Sequence, residues 1–101
     1  MGMDLKPINP TADAPKDSDG DFRWGRHNWT GWSELVDLLQ SWGVDTREFA
    51  GTNDGYVISA ETCAKVADAL EKNLPSQPQD IQDWLQPKII LWRTCGGYEQ
   101  W

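Results

Sequence analysis

The segment Cys95-Gly96-Gly97-Tyr98-Glu99-Gln100-Trp101 decides the fold. Two consecutive glycines end the helix before them, because glycine enters the left-handed region at little cost. The four residues that follow are too few to stay extended alone, so they need a partner strand. The other end of the chain offers one. Met3-Asp4-Leu5-Lys6-Pro7-Ile8 starts with apolar and polar residues alternating at period two, the pattern of a half-buried strand. Pro7 has no amide to donate, so it ends that strand or confines it to an edge. The sequence therefore predicts that the two chain ends pair antiparallel.

Between the ends the apolar spacing changes to that of helices. Trp32, Leu35, Val36, Leu39 and Trp42 share one face, which predicts a first helix over 31–42 with Thr30 as N-cap, Glu34 near its first turn and Gly43 turning the chain out. Cys63, Val66, Ala67, Leu70 and Leu74 predict a second helix over 60–73, capped by Ser59 and stopped by Pro75. Ile81, Trp84, Leu85, Lys88, Trp92 and Cys95 predict a third from about Gln79. Pro87 lies inside it, and the lost amide predicts a kink or break near Gln86. Val44–Gly51 reads as a connector, Asn53-Asp54-Gly55 as a turn and Tyr56-Val57-Ile58 as a short extended run. Residues 12–21 contain four Asp and no large apolar side chain, and read as a mobile acidic loop. The fold class expected is α+β: one domain over 1–101, three helices packed on a small antiparallel sheet that pairs the N- and C-terminal strands.

Composition narrows the functional classes. Nine Lys or Arg against sixteen Asp or Glu leave a net charge of −7, which argues against direct, sequence-blind binding to nucleic acid. It suits a partner with a basic surface. The sequence has no apolar run of membrane-spanning length and no secretory h-region, and two cysteines are too few for a disulfide framework. These readings predict a cytoplasmic protein with reduced thiols. Asp17-Ser18-Asp19-Gly20-Asp21 has the opening of a calcium loop, but the twelfth position is Asn28 where the pattern needs Glu. His27, Cys63 and Cys95 lack the paired spacing of a structural zinc site. A Cys95 nucleophile would sit at the wrong end of a helix, where the dipole raises a thiol pKa. Phosphate-binding glycine loops and nucleophile elbows are absent from the sequence. No enzyme, cofactor or metal site is expected.

Several short pieces occur together in one order: Met1-Gly2-Met3-Asp4, Asn9-Pro10-Thr11, Gly20-Asp21-Phe22-Arg23 before a Trp-rich helix start, Asn53-Asp54-Gly55, and Cys95-Gly96-Gly97-Tyr98-Glu99. In this the chain resembles a family of small uncharacterised proteins of bacteriophages and bacteria. The resemblance implies a phage or prophage origin and supports pairing of the ends. Larger members carry a cysteine-rich insert before the final helix. Leu74 to Gln79 stands in its place here, so a zinc site within that insert has no counterpart. The family has no assigned activity, so no catalytic residues carry over.

The densest chemical patch is Arg23-Trp24-Gly25-Arg26-His27-Asn28-Trp29, a local reversal of sign in an acidic chain. Arginine forks bind phosphate or carboxylate, and indoles stack on flat rings. Arg23, Trp24, Arg26, His27, Asn28 and Trp29 are therefore candidate ligand-binding residues, with the amides of the following helix as an added anion site. The competing reading pairs Arg23 and Arg26 with Asp17, Asp19 or Asp21 and leaves the Trp residues in the core. Three functions follow. The first is a non-enzymatic, phage-encoded inhibitor of a host defence protein, acting by protein–protein contact. The second is a binder of a small, nucleotide-like anion at the patch. The third is a structural homo-oligomer with Trp92 or Trp101 at its interface.

Overall fold

The computed structural model describes residues 2–101. Alternation places Met3 and Leu5 on one face of strand β1 (Gly2–Pro7), both fully buried, while Asp4 and Lys6 point the other way. Strand β4 (Tyr98–Gln100) lies antiparallel beside it, with Leu5 opposite Gln100 and Pro7 opposite Tyr98. Backbone bonds extend this seam at both ends, through Asp4 and Trp101 in both directions and from the Ile8 amide to the Gly97 carbonyl. The chain ends pair as the alternation predicted. Gly96 allows it: its φ is +63°, and a Cβ there would stand 2.1 Å from the Asn9 carbonyl oxygen.

The sheet is wider than the two-stranded pairing expected. Strand β2 (Gly25–Asn28) joins the free side of β1, strand β3 (Tyr56–Ile58) joins β4, and the order is β2-β1-β4-β3. Pro7 thus belongs to an inner strand. Its missing amide does no harm, because the register pairs Leu5 with Gly25 and β2 does not extend to the level of Pro7.

Helix α1 (Trp29–Ser41) starts two residues earlier than predicted. Its N-cap is Asn28, not Thr30: the Asn28 Oδ1 accepts the Gly31 amide at 2.6 Å. Glu34 therefore lies beyond the first turn. Gly43, at φ +80°, turns the chain out as expected. Helix α2 (Ala60–Asn73) matches its prediction, with the Ser59 hydroxyl accepting the Thr62 amide, and a 3-10 turn over Leu74–Ser76 follows it. Helix α3 (Gln79–Thr94) runs through Pro87 without a break, so of the kink or break expected near Gln86 the break does not occur. Pro87 and Asp83, whose carbonyl loses its partner, are both exposed, so water can take the place of the missing amide. Arg93 of α3 pairs with Asp68 and Glu71 of α2, tying the two helices together at the surface.

One core lies between the sheet and the helices. Met3, Leu5, Ile58 and Tyr98 pack there against Trp32, Leu35, Leu39, Val66, Leu70, Leu85 and Trp92. A chain of rings crosses it: His27 on Trp32 (centroids 5.5 Å apart), Trp32 on Phe49 (5.3 Å), Phe49 on Trp92 (5.8 Å) and Trp92 edge-on to Tyr98 (4.9 Å). Trp92 is 2% exposed and so is not an interface residue, whereas Trp101 is 46% exposed. The core thiols of Cys63 and Cys95 are free, and hydrogen bonding to Cys95 together with burial pushes the Cys63 thiol up. No helix among the described residues is long and apolar enough to cross a membrane.

Candidate functional site

The outer face of the sheet carries the side chains that alternate away from the core. Arg26 stands opposite Asp4 and pairs with it at 3.2 Å. Continued by two residues, the same register brings Trp24 alongside Lys6. The Arg26 guanidinium lies over the Trp24 ring, 5.6 Å from its centroid.

Residues 15–23 form a small arm beside this face. The Arg23 amide donates to the Pro15 carbonyl, Lys16 bridges to Phe22, and the Asp17 amide donates to the Asp21 carbonyl. The turn is fixed from within, because Asp17 Oδ1 accepts the amides of Asp19 and Asp21 at 3.0 and 3.2 Å. Lys16 Nζ lies over the Phe22 ring at 5.0 Å. The acidic stretch thus has more local structure than its composition predicted.

Arm and sheet enclose a groove of about 590 Å³, lined by Lys6, Arg23 and Arg26, by Phe22 and Trp24, by Pro7 and Pro10, and by Asp17 and Asp21. That volume lies within the usual range for small-molecule sites. The arm's pairing sets Asp17 opposite Asp21 beside its turn and Arg23 two residues further on at its base, while Arg26 and Lys6 are on the sheet. Among the described residues, Lys6 and Arg23 have no carboxylate within ion-pairing distance, and Arg26 pairs with Asp4 rather than with the arm. The reading in which the arginines are neutralised by Asp17, Asp19 or Asp21 is not what the side chains do.

Alternation divides the predicted patch. Arg23, Trp24 and Arg26 line the groove; His27, Asn28 and Trp29 do not. His27 points inward onto Trp32, Asn28 is spent on the helix cap, and Trp29 packs against the core from α1. The amides at the start of α1 lie outside the groove, so they add no anion site there. Sequence reasoning missed Lys6, Asp17, Asp21 and Phe22 as walls. Lys6 was detectable, since alternation in β1 already set it opposite to Met3 and Leu5.

His27 has a separate consequence. Burial, with a smaller contribution from the Lys88 charge, lowers its pKa from 6.5 to about 4. The folded state holds the imidazole neutral, while the unfolded chain takes up a proton below pH 6.5. Stability is therefore complete above that pH and is lost as the pH falls towards 4, by roughly 2–3 kcal/mol after allowance for partial exposure. Urea midpoints measured from pH 7.5 to 4.5 should fall more steeply for the native sequence than for His27→Gln; parallel slopes would remove His27 as the cause.

No group of three or more His, Cys, Asp or Glu among the described residues is placed to hold a metal ion. No family model, curated protein or solved structure matches the chain.

Proposed function

We propose that this chain is a non-enzymatic binding protein and that the groove between β1, β2 and the arm takes an anionic ligand with a flat ring. The observation that carries this reading is the convergence of Lys6, Arg23 and Arg26 beside Trp24 in a chain of net charge −7. Among the described residues two of these cations have no acidic partner, and the third is oriented by one. Arginine offers a fork to a phosphate or carboxylate, and the indole offers a face to a ring.

Trp24 provides the assay. A mononucleotide panel should change the protein's Trp emission, and both the panel and inorganic pyrophosphate should raise the melting temperature, since a ligand of the native state stabilises it. Arg23→Ala should weaken binding about tenfold or more, the usual weight of a charged hydrogen bond. Unchanged emission and melting temperature across the panel would reject the groove as a ligand site.

A second reading keeps the acidic surface as the working part. Glu34 and Asp37 on α1 are exposed and, among the described residues, have no cationic partner. Such a face suits a basic surface on a host protein, with electrostatics speeding encounter. Inhibition of a host defence protein is the form this takes if the resemblance to phage proteins reflects origin. Charge reversal of Glu34 and Asp37 should then abolish a salt-sensitive complex that Arg23→Ala leaves intact.

A further inference from the structure

The groove is lined by both signs of charge, and among the described residues its carboxylates meet no cation. Asp17 uses Oδ1 to fix the turn. Among the described residues Asp21 engages its side chain with no donor and no cation, yet it lines the same groove as Arg23, Arg26 and Trp24. Opposite charges that share a wet groove without pairing are complementary to a ligand that brings both polarities. The cations require an anion, and the indole requires a ring. The carboxylate requires adjacent hydrogen-bond donors on the edge of that ring.

Base chemistry then discriminates among mononucleotides. Guanine presents N1–H and the N2 amino group side by side, two donors matched to the two oxygens of a carboxylate. Adenine sets its single amino donor beside the N1 lone pair, which a carboxylate repels. Cytosine likewise puts an acceptor next to its donor, and uracil flanks its one donor with two carbonyls. We infer that the groove selects a guanine nucleotide, with Asp21 reading the base edge, Trp24 stacking on the ring and Lys6, Arg23 and Arg26 holding the phosphate. This rests on the groove being the binding site, and it assigns that site's ligand class and the residue that sets its specificity.

The test compares GMP with AMP, and native protein with Asp21→Asn, by calorimetric titration and Trp emission. Asp21 is exposed on the arm, and its backbone amide, not its side chain, makes the turn contact, so the variant should melt as the native protein does. GMP should bind at least tenfold more tightly than AMP, since two charged hydrogen bonds separate them. Asp21→Asn should remove that preference by weakening GMP while leaving AMP no weaker. Equal binding of GMP and AMP would overturn the guanine assignment and leave the anion groove standing. A preference that survives in Asp21→Asn would overturn the role of Asp21. No binding of either nucleotide, or of pyrophosphate, would overturn the assignment and the groove reading together.

Discussion

Replacing Gln100 by leucine should lower the free energy of unfolding by about 3–6 kcal/mol, a large share of what a domain of this size holds. Gln100 is fully buried in the middle of the sheet, a position that by burial alone suits an apolar side chain such as leucine. Its amide, however, serves three backbone groups. Nε2 donates to the carbonyls of Glu48 and Tyr56 at 2.9 and 3.0 Å, and Oε1 accepts the Ala50 amide at 2.7 Å. Leucine would leave one donor without a partner and two carbonyls with fewer, in a part-buried region, at roughly 1–3 kcal/mol each. The same loop is tied to α2 by Glu48, which accepts the hydroxyls of Ser59 and Thr62. Loss of Gln100 should therefore loosen residues 48–50 before the helices. Urea denaturation gives the magnitude, and amide exchange at Ala50 gives the location. A midpoint within error of the native protein would show that the three groups find other partners.

Trp92→Ala should cost about 3–5 kcal/mol, the range for removing a large buried aromatic side chain. Trp92 sits between Phe49 and Tyr98 in the ring chain, and its loss interrupts the stack where helix meets sheet. It also lines a small cavity of about 40 Å³ with His27, Lys88 and Tyr98, which its removal would enlarge. Trp92→Phe should recover much of the loss, because a ring keeps the contact with Tyr98. Thermal melts of the two variants measure the difference, and equal destabilisation by both would count against ring contact as the reason.

The helices were legible because each buries a stripe at helical spacing, and the stripe in α2 is free of interruptions. Pairing of the ends was legible from Met3 and Leu5 in alternation and from the two glycines before Tyr98. β2 was not. Gly25-Arg26-His27-Asn28 has no run of β-branched or aromatic residues, and its place follows from register with β1, a contact between distant segments that local pattern does not encode. The missed strand explains the misread patch. Read without a strand, Arg23 to Trp29 looked like one cluster; as a strand running into a helix cap, it sends Trp24 and Arg26 to one face, His27 to the other and Asn28 to an amide. Whether Pro87 would break its helix was not legible for a related reason: its cost depends on whether the freed carbonyl meets water, and only the fold reveals that.

The seam between β1 and β4 has a kinetic consequence. It joins residues separated by about ninety positions of chain, so forming it surrenders the conformational freedom of nearly the whole polypeptide at once. The α2–α3 hairpin closes a far shorter span and can assemble at little entropic cost. Folding is thus ordered by topology, short-span pairs early and sheet centre late, and the groove, whose lining falls within residues 6–26, needs only the short β1–β2 closure and can take shape before the slow long-range step.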